Sequence, residues 1–213
     1  MHGHAKVDLP TWVDQGRFGG FQARVVALGI VITTFDGFDT QAIAFTGPAI
    51  ARAFGTGPGG LTPVITAGVA GMAVGALMFG PVGDRYGRRV AALLATAVFG
   101  VFALATAFAD SIVQLVVLRF LTGIGMGGAA PNVFTLGSEY SPDRRRGIVM
   151  LLAGLGLPLG AIFGGLLATR IIPLWGWESV FVLGGAGPLL ALPWLWKVLP
   201  ESPHFLARQG RHA

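Results

Sequence analysis

The chain has 213 residues, is 53% hydrophobic and only 12% charged, and has a mean hydropathy of +0.69. With 34 glycines and no cysteine, these values exclude an ordinary soluble globular domain, a disulfide framework, a cysteine metal site and a thiol nucleophile. The formal charge of +5 and the pI near 10.7 do not mark a nucleic-acid surface, because the arginines cluster in short loops between apolar runs, as they do where basic loops orient a membrane protein.

Residues 1–23 mix Lys6, Asp8, Asp14 and Arg17 with apolar residues. That pattern predicts a short amphipathic segment at the cytoplasmic face, and it is too polar for a cleaved signal peptide. Six apolar runs follow, near 24–47, 62–82, 90–109, 112–134, 148–169 and 178–199. Each is long enough to cross the roughly 30 Å hydrocarbon layer as a helix. The expected fold is therefore an all-α membrane protein whose six-helix bundle occupies 24–199, with 200–213 opening a further cytoplasmic loop. Six helices also admit two inverted three-helix repeats.

Loop charge orients the bundle. Arg85, Arg88 and Arg89 follow the second run, and Arg144, Arg145 and Arg146 follow the fourth. Lys6, Arg17, Arg24, Lys197, Arg208 and Arg211 fall on the same side, while the other side holds only Arg52 and Arg170. Both termini are expected inside the cell.

The first run contains Asp36-Gly37-Phe38-Asp39. Each ionised acid near a bilayer centre costs about 2.5–3.5 kcal/mol, so the pair calls for a water-filled cavity, a cationic partner or protonation. Three residues apart on a helix, the acids lie about 60° from each other and form one polar stripe. The second run spaces Gly68, Gly71 and Gly75, the fourth Gly123 and Gly127, and the fifth Gly156, Gly160 and Gly164. These small-residue faces predict close helix packing rather than substrate contact. Pro158 and Pro188 are expected to bend the fifth and sixth helices.

Arg119 lies about 12 Å below the outer surface in the fourth run. Asp39 sits at a similar depth in the first, so the two are expected to pair if those helices are neighbours; otherwise Arg119 snorkels to the interface. His2, His4, His204 and His212 all lie near a terminus, so no metal site and no cofactor are expected.

Gly80-Pro-Val-Gly-Asp84-Arg85-Tyr86-Gly87-Arg88-Arg89 resembles the loop between the second and third helices of the major facilitator superfamily. Glu139-Tyr-Ser-Pro142-Asp-Arg-Arg-Arg146-Gly147 is similar to the acid, Pro and Arg-Gly that answer it after the fourth helix. Pro200-Glu201-Ser202-Pro203 resembles the segment that opens the superfamily's central loop, with His204 where an Arg is usual. Asp36-Gly37-Phe38-Asp39, with Arg119 to Asn132 of the fourth helix, narrows the resemblance to the aromatic acid:proton symporters of bacterial inner membranes.

This resemblance implies the N-terminal half of a twelve-helix carrier, built as two inverted triplets and completed by a C-terminal six-helix half. It also implies proton-coupled uptake of a small aromatic carboxylate such as 4-hydroxybenzoate or benzoate, and no enzymatic reaction. Asp36 and Asp39 are the candidates for proton coupling, their titrations coupled by proximity. Arg119, Phe38 and Asn132 are the candidates for substrate binding. Gly80, Asp84, Arg85, Gly87, Arg88, Arg89, Glu139 and Arg146 are the candidates for a cytoplasmic gate. The rival expectations are a sugar-type or other organic-anion porter, or a truncated or sensory membrane protein without transport.

Overall fold

A computed structural model describes residues 19–57 and 59–208. The amphipathic segment expected over 1–23 therefore lies almost wholly outside the described residues. Every apolar run forms a helix: α1 (Gly20–Ala53), α2 (Thr62–Tyr86), α3 (Arg88–Thr106), α4 (Ile112–Glu139), α5 (Arg146–Gly154) with α6 (Gly156–Trp175), and α7 (Glu178–Val198). A 3₁₀ turn at Asp143–Arg145 leads into α5, and α8 (Pro203–Arg208) follows α7. Among the described residues, six spans are long and apolar enough to cross a membrane, with α5 and α6 counted as one. The protein is a multi-pass membrane protein.

Proline chemistry explains where the fifth span is interrupted. Pro158 has no N–H for the carbonyl four residues earlier, which is that of Gly154. The helix accordingly ends at Gly154 and restarts at Gly156, one turn upstream of the proline. Pro188 behaves differently: it is buried within α7, which continues unbroken through it and through Pro193.

The packing repeats itself. The span α5–α6, second of the latter triplet, lies along α1, first of the former, and α2 lies along α4 in the corresponding way. The third members, α3 and α7, also pack together. Glycine makes both long contacts close. A Cβ at Gly71 or Gly75 would lie inside the van der Waals radius of the Phe120 or Ile124 carbonyl oxygen, and one at Gly127 would strike that of Met72. On the other pair, a Cβ at Gly160 would collide with the Thr34 carbonyl, and one at Gly37 with that of Leu157. The same interlock is thus made twice, as two inverted three-helix repeats require.

Gly127→Val is expected to cost about 1–3 kcal/mol, because the obstacle is backbone and cannot rotate away. Gly80→Ala, whose Cβ would meet nothing within 4 Å, is expected to leave stability unchanged. Thermal unfolding of the purified chain in detergent separates the two.

Candidate functional site

The buried positions of α1 recur with helical period: Val25, Leu28, Gly29, Ile32, Thr33, Asp36, Asp39, Ile43 and Ile50. Both acids therefore occupy the face that elsewhere carries Leu and Ile. They are 4% and 0% exposed, enclosed by the bundle. Of the expected compensations the structure supplies the cation. Arg119 Nη1 donates to Asp39 Oδ2 at 2.7 Å, and Nη2 donates to the Asp39 backbone carbonyl at 3.2 Å. One guanidinium thus grips a side chain and main chain together. Arg119 turns inward and does not snorkel, its side chain 6% exposed.

The pair is incompletely satisfied. Asp39 Oδ1, Asp36 Oδ1 and Arg119 Nε have no hydrogen-bond partner among the described residues. Asp36 also makes no ion pair there. Burying charge is expensive unless geometry and hydrogen bonding repay it, so a buried pair with free acceptors is suited to exchanging partners rather than to holding the fold.

Phe38 stays near the pair, since a Cβ at Gly184 would lie 3.2 Å from its ring and 3.8 Å from Asp39 Oδ1, whereas Asn132 is held elsewhere. Phe38 is wedged between α6 and α7, where a Cβ at Gly164 or Gly184 would come within 2.9 or 3.2 Å of its ring. Asn132 lies 13 positions beyond Arg119 on α4, about 20 Å along the axis. Its amide donates to the Gly128 carbonyl at 2.8 Å and the Phe79 carbonyl at 3.4 Å, and its oxygen accepts from Arg88 Nη1 at 3.3 Å. Asn132 therefore joins the arginine-rich end of the bundle and is not brought to Arg119. In its place the structure brings Phe181, whose ring lies 5.7 Å under the Arg119 guanidinium. Nothing in the sequence distinguishes that Phe from the others in apolar runs.

At the arginine-rich end, Arg88 connects Asp84 to Asn132 by an ion pair on one side and a hydrogen bond on the other. Gly87, with φ 102°, makes the one-residue corner between α2 and α3. A side chain there would be strained in this left-handed region, and its Cβ would collide with the Glu201 carboxylate. Glu201 accepts the Arg89 backbone N–H at 3.1 Å. The Arg89 guanidinium reaches the Trp196 carbonyl and lies 5.3 Å from the centre of the Trp196 ring. Arg85 stacks over Tyr86.

The second loop joins through the segment that follows α7. Glu139 accepts from the Ser202 hydroxyl, and Tyr140 donates to the Glu201 carbonyl. Burial, and after it the charges of Glu139 and Glu201, push the Tyr140 hydroxyl up to about 12, so it remains a donor. Arg146 pairs with Asp143 at 2.8 Å and donates to the Ser138 carbonyl. Glu201 and Ser202 thus tie the two loops together. Gly80 has open space above its Cα.

Residues 29–213 match the family model of the Major Facilitator Superfamily. The chain is 41% identical over 203 residues to a gallate transporter of Pseudomonas putida, an overlap of 95% of this chain and 45% of that one. It is 42% identical over 205 residues to a 4-hydroxybenzoate transporter of the same organism, covering 96% and 46%. A crystal structure of a D-xylose–proton symporter superposes with a TM-score of 0.75 at 19% identity, covering 90% of this chain and 52% of that one. The inward-open xylose transporter of E. coli gives 0.73 at 20%, covering 89% and 50%. At these identities the solved structures show the fold alone. The chain spans about half the length of the curated relatives it matches.

Proposed function

Because the chain belongs to the Major Facilitator Superfamily, we propose that it forms one six-helix half of a secondary transporter that takes up small aromatic carboxylates together with protons. The observation that carries this reading is the buried Asp39–Arg119 ion pair with Asp36 beside it on α1. The names of the gallate and 4-hydroxybenzoate relatives support the substrate class. The second half, expected from the relatives' length, would supply the other wall of the path.

Two acids and one base leave the site with a net charge of −1 when all are ionised, which repels an anion. A proton taken by the Asp36–Asp39 pair brings the site to neutrality, and loosening Asp39 frees the Arg119 fork. The substrate carboxylate then replaces Asp39 in the two-pronged geometry that guanidinium and carboxylate share. Proton and substrate binding thereby favour the same conformational exchange. We place the arginine-rich end in the cytoplasm of a bacterial inner membrane with both termini inside, on the strength of the loop arginines.

At that end Asp84, Arg88, Asn132, Arg89, Glu201 and Ser202 act as a latch that keeps the helix ends together. Asp84→Asn and Arg89→Ala are expected to slow uptake several-fold while leaving apparent substrate affinity within about twofold, since neither residue touches substrate. A large loss of affinity with unchanged turnover would contradict this role.

Competition against labelled 4-hydroxybenzoate uptake tests the substrate class. Benzoate and gallate are expected to compete, while D-xylose and hexoses are not. Competition by the sugars alone would replace this reading by a sugar porter.

A further inference from the structure

We propose that Phe181 is a positioning residue for Arg119, its ring holding the guanidinium in place while Asp39 is neutral. Arg119 is 5% exposed, and both of its observed hydrogen bonds end on the single residue Asp39. If that residue were its only holder, neutralising it would set the cation adrift inside the bundle. The structure provides a second holder: the Arg119 Cζ lies 5.7 Å over the Phe181 ring, within the range where a ring face attracts a cation, and the attraction is strongest where water is excluded. Phe181 is 0% exposed.

The ring is itself braced. Trp177, one turn earlier, meets it edge to face at 5.9 Å and 75°, and Phe54 at the end of α1 lies 6.0 Å from Trp177. Val180, Leu115 and Ile50, each 0% exposed, fill the same cluster. Phe181 therefore has no room to turn its face away, and an aromatic row runs from the far end of α1 to the ion pair. A guanidinium kept in place can pass from one carboxylate to another without searching. That last step rests on the transport reading; the contact of ring and guanidinium does not.

Replacing Phe181 in turn by mono-, di- and trifluorophenylalanine withdraws charge from the ring face with little change of shape. The folding equilibrium of the purified chain in mixed detergent micelles is expected to weaken stepwise, by about 5- to 30-fold across the series. In Arg119→Met the series is expected to be flat. In Asp39→Asn, or in Asp39→Ser should that variant fold poorly, the slope is expected to be at least as steep as in the unsubstituted chain. A flat series with Arg119 present, an equal slope in Arg119→Met, or a slope lost with Asp39 neutral would each overturn the inference. In uptake, Phe181→Leu is expected to raise KM with kcat little changed and Phe181→Tyr to restore it; an equal defect in both would count against it. A chain that shows the slope but takes up no aromatic acid sustains the inference and overturns the transport reading instead.

Discussion

Asp39→Ala is expected to destabilise the six-helix bundle by about 3–5 kcal/mol, the cost of stranding a buried charge. Arg119 would keep its charge at 5% exposure with the acceptor of its 2.7 Å bond removed. The double variant Asp39→Ala/Arg119→Met is expected to recover most of the loss, because an apolar chain of similar length fits among Phe181 and Leu115, the wall of the same apolar cluster. Asp36→Ala is expected to be near neutral or stabilising, since Asp36 makes no ion pair among the described residues and its Oδ1 has no partner. Reversible unfolding of the purified variants measures all three. An Asp39→Ala chain as stable as the unsubstituted one would mean that Arg119 finds another anion or water, and that the pair is not the closed unit described above.

The sequence made much of this legible because membrane physics leaves few choices. An apolar run of span length has only a helix open to it, so the number of crossings could be read directly. The small-residue stripes of α2, α4 and α6 could be read as contacts, and at Gly71, Gly75, Gly123, Gly127 and Gly160 a backbone carbonyl lies where a side chain would be. Asp39 and Arg119 could be matched by depth, since an acid and a base in hydrocarbon need each other. Boundaries were harder: α1 begins at Gly20 and runs past Pro48 to Ala53, because a proline ends a helix only when nothing nearby offsets the lost bond.

What could not be read depends on side chains meeting across helices. Asn132 stood in a Gly-rich stretch close in sequence to Arg119, yet the rise of a helix carries it to the other end, beside Arg88. Glu201 and Ser202 were recognisable as a motif, but the three-way joint they make with Arg89, Tyr140 and Glu139 requires α7 to end beside α3 and α4. Phe181 gave no sign of its place beneath a cation.

Arg119→Lys is expected to reduce aromatic-acid uptake by about 10- to 100-fold, with a conserved charge and nearly intact folding. Arg119 donates from two nitrogens to two oxygens of Asp39, and a lysine ammonium on its flexible stem cannot reproduce that planar fork. Losing one charge-assisted bond at a desolvated site costs about 1.5–3 kcal/mol, which sets the expected factor. Uptake equal to that of the unsubstituted protein would show that charge alone suffices and that the fork is not what receives the carboxylate.

Recording proton and labelled 4-hydroxybenzoate entry together, in cells expressing the protein, bears most directly on coupling through Asp36, Asp39 and Arg119. An outside acid pulse is expected to drive accumulation of the aromatic acid with matching proton entry; Asp36→Asn and Asp39→Asn are each expected to abolish it, and Arg119→Lys to cut it by the factor given above. Normal pH-driven accumulation in all three variants, or entry of the anion with no proton, would contradict the coupling.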